Sequence, residues 1–421
     1  MPGEPGKFRR DVAWNFASLA VLGVSGIALQ ALIGRHYGAA TLGVFNQVLA
    51  AYILFSQAAA GGINLSALRA IAEDSSDRAR ISSIVAGAAL PVLALAAVFS
   101  LAFYASRGLA ADVLESPDVA LGIAAATPGL FFFALNKLLL GVVNGVQRMR
   151  AYAVYQATRY LLILAGLGIA LLRSVPGPQL AFVFSFAEIL LFLALVVEVA
   201  FLVSWPRTRD WVAWSWRHLA YGMKSAVSGM LLELNSRVDV LMIGYFLSDA
   251  RVGIYSFASM LAEGLFQLLV VLQTNYNPRL ARGVAERALE RLARTVRRGR
   301  NWTYAGMAAV GLIAVALYPF AVRLLAGGGE FAESWLPFAL LMGGIVAISG
   351  YYPFHQTLLM ANLPAWHTLL MTCTVGCNVL FNALLIPRLG IAGAALATGL
   401  ALAASVVLLK LLVRRLVGLR L

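Results

Sequence analysis

The chain has 421 residues, of which 61% are hydrophobic and 12% charged, and its formal net charge is +14. Soluble domains carry about a quarter charged residues, so a mean hydropathy of +0.82 excludes a soluble globular protein and points to a polytopic helical membrane protein. Apolar runs of about twenty residues, rather than ten-residue alternations, exclude an outer-membrane barrel.

The first apolar run, residues 12–33, follows Lys7-Phe8-Arg9-Arg10. It is too long for a signal-peptide core and is expected to stay as a first span. Twelve spans are predicted in all: 12–33, 42–66, 81–105, 119–143, 152–173, 179–203, 221–246, 252–276, 302–325, 334–358, 364–386 and 390–412. Each can cross a hydrocarbon core of about 30 Å at about 1.5 Å per residue. Most carry Gly, Ala or Ser at intervals, which lets helices approach closely.

Lysine and arginine set the orientation. With a cytoplasmic N-terminus, twenty-five of the 33 basic residues fall on the cytoplasmic side, Arg148, Arg150 and Arg159 among them. Six lie opposite, one per loop: Arg35, Arg107, Arg173, Arg251, Arg323 and Arg388. Lys137 and Arg237 lie inside spans. A bias of about four to one puts both termini in the cytoplasm. The net positive charge is then mostly a topological signal, and no nucleic-acid partner is needed to explain it. The eight tryptophans all fall at predicted span ends or in adjoining loops, as interface enrichment requires.

The predicted organisation is a six-helix lobe over 1–204, an interfacial linker over 205–220 and a second six-helix lobe over 221–421. Residues 279–300, RLARGVAERALERLARTVRRGR, read as one basic amphipathic helix. It would lie on the inner leaflet or serve as a solvated connection.

The halves are related at an offset of 210 residues. Ile33-Gly34 corresponds to Ile243-Gly244, Leu42-Gly43-Val44-Phe45 to Val252-Gly253-Ile254-Tyr255, and Arg69 to Arg279. Six spans per half give both halves the same orientation, so a pseudo-two-fold along the membrane normal is expected, with a substrate path between the lobes. The stretch 224–279 opens the second half and carries Glu233, Arg237, Asp239 and Glu263 inside apolar sequence. Each charge at that depth costs roughly 2.5–3.5 kcal/mol even on lenient scales, so a functional use is expected. Glu233 precedes Arg237 by one helical turn in the favourable order. Asp239 faces another neighbour.

Catalytic chemistry is not in view. The sequence has no Walker A motif and no G-x-S-x-G, and its four histidines show no ligand spacing. Cys373 and Cys377 share a helix face and read as small core residues. No cofactor and no metal are predicted.

Three stretches carry a family resemblance: IGRHYGAATLGVFNQVLAAYILFSQAAAGGINLSALRAIAE (33–73), SRVDVLMIGYFLSDARVGIYSFA (236–258) and CNVLFNALLIPRLGIAGAALATGLA (377–401). Through them the chain resembles the multidrug/oligosaccharidyl-lipid/polysaccharide exporter superfamily, most closely its oligosaccharide-lipid flippases. Twelve spans suit that branch, whereas peptidoglycan-precursor flippases usually carry two more. The resemblance implies an alternating-access transporter of lipid-linked oligosaccharide, working among membrane lipids and in contact with polysaccharide assembly proteins. It also implies coupling to an H⁺ or Na⁺ gradient.

On that basis Arg237 is expected to meet the substrate's pyrophosphate, because a guanidinium fork donates two hydrogen bonds at once. Glu233 would hold it in the empty state; a purely structural ion pair is the alternative. Lys137 would meet the pyrophosphate on entry or snorkel to the interface. Arg35 is a further cation, alternatively an interfacial anchor. Asn64, Gln57, Gln267 and Asn275 would contact sugars or glue helices together. Asp239, Glu263, Glu233 and Glu188 are the candidates for ion coupling, since desolvation at that depth favours the neutral carboxyl. Competing readings are a drug or organic-cation antiporter of the same fold, and a glycan polymerase or ligase. The short outer loops, 106–118 and 326–333, argue against the enzyme.

Overall fold

The computed structural model describes residues 5–73, 77–203, 211–286, 289–419 and 421. Among the described residues thirteen α-helices follow one another and there is no strand. They are α1 (Pro5–Ala60), α2 (Ile63–Glu73), α3 (Arg78–Ala105), α4 (Arg107–Val113), α5 (Pro117–Gly145), α6 (Met149–Leu172), α7 (Phe182–Ala200), α8 (Trp211–Phe246), α9 (Asp249–Ala285), α10 (Leu289–Ala326), α11 (Trp335–Ser349), α12 (Thr357–Met360) and α13 (Pro364–Leu416).

Among the described residues nine stretches are long and apolar enough to cross a membrane. Two of them are bent pairs. α1 turns at Gly38 with φ 83°, and α13 turns at Gly390 with φ 58°, a left-handed backbone that glycine adopts without a Cβ penalty. Counting each bent helix as two spans and adding α8 gives the predicted twelve. At the first bend the freed N–H of Ala39 donates to Glu330 Oε1 at 2.8 Å, so a carboxylate from a distant loop caps the second arm of α1.

Three predicted stretches are revised. Span 42–66 stops at Ala60, because Gly61 and Gly62 take φ 52° and 66° before α2 restarts at Ile63. Span 334–358 ends at Ser349 and continues as short turns through Tyr352–Phe354 and α12. The single basic helix over 279–300 is two helix ends, the last turns of α9 and the first of α10. Its apolar residues Leu280, Leu292 and Val296 are buried against Phe354, Leu358, Leu370 and Leu409. That face is therefore taken by protein rather than by lipid. Of the predicted linker 205–220, residues 205–210 lie outside the described residues, and Trp211 opens α8.

By contact the chain divides into two compact units, Met1–Gln30 with Val44–Glu233, and Ala31–Gly43 with Leu234–Leu421. In the first unit α5 and α7 pack through Gly129, where an added Cβ would lie 2.7 Å from the Ser185 backbone nitrogen. Pro128 lacks an N–H and interrupts the helix ladder here. The Ser185 hydroxyl repairs it, donating to Ala125 O at 2.7 Å and accepting from Gly129 N at 2.9 Å. Gly141 and Gly145, one turn apart on α5, admit α2: Cβ atoms there would fall 2.8 Å from Asn64 O and 2.9 Å from Ile71.

The second unit contains a reciprocal glycine contact. A Cβ on Gly43 would lie 1.8 Å from Asp249 O, and one on Gly253 would lie 1.9 Å from Ala39 O. Gly43 and Gly253 are repeat mates at the offset of 210, and so are Ala39 and Asp249. The two contacts interchange under the repeat, and neither helix start tolerates a side chain.

Candidate functional site

In the first unit the packing of α5 on α7 decides which polar side chains meet. Two turns beyond Gly129, Asn136 donates from Nδ2 to Glu188 Oε2 at 2.7 Å and to Glu188 O at 2.8 Å. Arg159 reaches in from α6, its Nε 2.8 Å from Glu188 Oε1. Glu188 is 3% exposed and Arg159 9% exposed, so this ion pair is buried. Burial of such a pair is sustained only with good geometry and further hydrogen bonds, both of which Asn136 and the guanidinium supply.

Next to Asn136 stands Lys137. Its Nζ lies 2.5 Å from Gln57 Oε1 on α1. Gln57 Nε2 in turn donates to Glu233 Oε1 of α8 at 3.4 Å. The Phe133 ring lies between the two cations, 5.7 Å from Lys137 Nζ and 4.8 Å from Arg159 Cζ. Both distances fall within the range of cation–π attraction. The predicted residues Lys137, Gln57 and Glu233 are thus assembled, with Glu188 one residue of α5 away. Asn64 is half-buried, its backbone carbonyl against Gly141.

In the second unit Asp239, 8% exposed, accepts a short hydrogen bond from the Tyr255 hydroxyl across the α8–α9 turn. Its Oδ1 also accepts from Val240 N at 3.0 Å. Glu263 lies within electrostatic reach of Tyr255. Arg237 is half-buried, and its Nε is fully buried with no hydrogen-bond partner among the described residues. Asn378 donates to Asn235 O at 3.3 Å, and Asn382 donates to Asn378 Oδ1 at 2.7 Å, which extends a polar ladder along α13. Gln267 and Asn275 are exposed, and Asn275 is turned back on its own helix, 2.8 Å from Val271 O. Arg35 is exposed beside the α1 bend.

One assignment is corrected. Arg159 does not belong with the cytoplasmic loop charges; it sits inside α6 and neutralises Glu188. Seven residues inside predicted span 152–173, it was legible as an intramembrane cation from that depth alone. Tyr255 was also missed. It stands as far after the turn at Leu247 as Asp239 stands before it, which is the signal that pairs them.

The arrangement is a set of spanning helices with charged and amide side chains inside and no catalytic constellation among the described residues. A family model described as "Polysaccharide biosynthesis protein" matches residues 12–284. The chain belongs to that family. No curated protein matches.

Among solved structures, the lipid II flippase MurJ in an inward closed conformation is similar with a TM-score of 0.78 at 14% identity, covering 96% of this chain and 87% of that one. An inward-facing multidrug resistance MATE family transporter of the MOP superfamily gives 0.74 at 13% identity, covering 97% and 94%. A MOP superfamily transporter from Pyrococcus furiosus, described as having a binding pocket of reversed polarity, gives 0.62 at 13% identity, covering 96% and 94%. This member of the polysaccharide biosynthesis family therefore has the fold of these membrane transporters. The described helices make it a multi-pass membrane protein.

Proposed function

We propose that the protein is a flippase that moves undecaprenyl-diphosphate-linked oligosaccharide from the cytoplasmic to the outer leaflet of the inner membrane. It would do so by alternating access of two six-helix lobes, residues 1–204 and 221–421, with both termini cytoplasmic. The observation that carries the proposal is Arg237. A guanidinium in a spanning helix, with a buried Nε lacking a hydrogen-bond partner among the described residues, is an incomplete site. A diphosphate oxygen would complete it, and an unmet buried donor costs about 1–3 kcal/mol until it does. Lys137 supplies a second cation, with Asn64, Gln267 and Asn275 assigned to the glycan part and Arg35 to the outer exit.

In this reading Asp239 is the main ion-coupling group. It is buried and held by a hydroxyl and a backbone N–H, with the charge of Arg237 acting on it through space. Glu233 provides the counter-charge to the cations, and Glu188 is assigned to the Arg159 pair.

The test is deletion of the gene followed by analysis of inner-leaflet lipids. Accumulation of a lipid-linked oligosaccharide, cured by the wild type and not by a normally inserted Arg237→Ala variant, is expected. No accumulation, together with drug hypersensitivity, would replace the flippase with a drug antiporter.

A further inference from the structure

We propose that Gln57 is a positioning residue that occupies Lys137 until the anionic substrate arrives and passes the event to α8 through Glu233. The proposal rests on the flippase reading and adds how the first cation is presented and read out.

A primary amide has one acceptor end and one donor end. Gln57 spans two opposite charges with them: Oε1 takes the Lys137 ammonium at 2.5 Å and Nε2 reaches Glu233 at 3.4 Å. Flipping the amide would set its NH₂ against the ammonium and its oxygen against the carboxylate. Both partners therefore fix its orientation. The surrounding charges sharpen the point. Arg159, the other cation facing Phe133, is already matched by Glu188, whose carboxylate Asn136 also holds. The charge of Glu233 acts on Lys137 through space.

The Gln57 oxygen sits where a phosphate oxygen would sit. It is a neutral acceptor and therefore a weaker partner for an ammonium than an anion is. A diphosphate oxygen can displace it, whereas a carboxylate in its place could not be displaced so readily. Once released, the amide no longer bridges α5 to α8, and Glu233 loses the donor that Lys137 was polarising. Substrate arrival on α5 is thereby felt at α8, the helix that carries Arg237. The coupling is carried by one side chain with two discrete arrangements, a physically contiguous link.

The test uses the full-length protein in nanodiscs and a farnesyl-diphosphate sugar as probe, with affinity from titration and a spin label on Met230→Cys, an exposed position on α8. Lys137→Gln is expected to lose at least tenfold in affinity. Gln57→Glu is expected to lose a similar factor, because a fixed carboxylate holds Lys137. Gln57→Ala is expected to bind within about threefold of the wild type, or tighter, while the label on α8 no longer responds to the probe. Gln57→Met, close in length and volume, serves if the alanine variant unfolds.

The relay is overturned if Gln57→Ala or Gln57→Met loses as much affinity as Lys137→Gln, which would make Gln57 a direct ligand. It is also overturned if the label responds in those variants as in the wild type, or if Gln57→Glu binds normally. If instead the wild type does not bind the probe, or Lys137→Gln binds it undiminished, the substrate reading itself fails.

Discussion

The two repeat-related hairpins share a frame and differ in what they hold at its centre. In the first, Gln30 and Asn46 stand eight residues either side of Gly38 and exchange two amide hydrogen bonds, at 2.8 and 3.0 Å. In the second, Asp239 and Tyr255 stand eight residues either side of Leu247 and share one hydrogen bond. At the offset of 210 the second pair faces Leu29 and Phe45, one residue out of step with the amide pair. Both pairs tie one arm of a hairpin to the other. A neutral amide pair satisfies itself in both directions and has nothing to exchange. A buried carboxylate held by a hydroxyl can trade its partner for a proton or a sodium ion without unfolding the hairpin. The ion-coupling proposal therefore belongs to the second hairpin.

A third buried group marks the limit of that comparison. Glu188 is as deeply buried as Asp239 but is in direct contact with a guanidinium, whereas the Arg237 charge reaches Asp239 only through space. Removing the cation should therefore do the most damage. Arg159→Ala strands Glu188 and is expected to cost about 3–5 kcal/mol. The loss would be read as a lowered Tm in detergent and reduced membrane yield, with partial recovery in Arg159→Met/Glu188→Met. The reciprocal glycines come next. Gly43→Ala and Gly253→Ala each drive a methyl into a backbone carbonyl and are expected to lose about 3 kcal/mol, equally. Unequal losses would break the symmetry inferred for that crossing.

Asp239→Asn keeps an acceptor for Tyr255 and is expected to leave Tm within a few degrees. It should nevertheless abolish any dependence of transport on an imposed H⁺ or Na⁺ gradient, measured in proteoliposomes. Gln30→Leu, which breaks the amide pair of the first hairpin, should leave that gradient dependence intact. The smallest effect is expected from Glu330→Ala, which uncaps the second arm of α1 at Ala39 and should cost about 1 kcal/mol in thermal unfolding.

Much of this was legible in the sequence, for identifiable reasons. Span length, arginine bias and interfacial tryptophan are properties of the bilayer, so they show in any chain that crosses it. The repeat showed because Gly43 and Gly253 admit no side chain at their crossing. What escaped was side-chain pairing between elements. Arg159 read as a loop charge because the arginine count looks at sign and neighbourhood, not at the carboxylate waiting on α7. The ends of α9 and α10 read as one helix because both bury apolar residues in the same cluster, so the apolar period carries over from one to the other. Gln57 read as a sugar contact or as glue between helices. Nothing local says that α5 brings Lys137 to one end of its amide and α8 brings Glu233 to the other.

Arg237 is proposed to engage the diphosphate of a lipid-linked glycan during transbilayer movement. Its most direct test is a flipping assay in proteoliposomes with a fluorescent prenyl-diphosphate oligosaccharide, comparing the wild type with Arg237→Ala at matched reconstitution. Protein-dependent flipping is expected, and it should fall at least tenfold in the variant. Flipping at the wild-type rate by Arg237→Ala would contradict it.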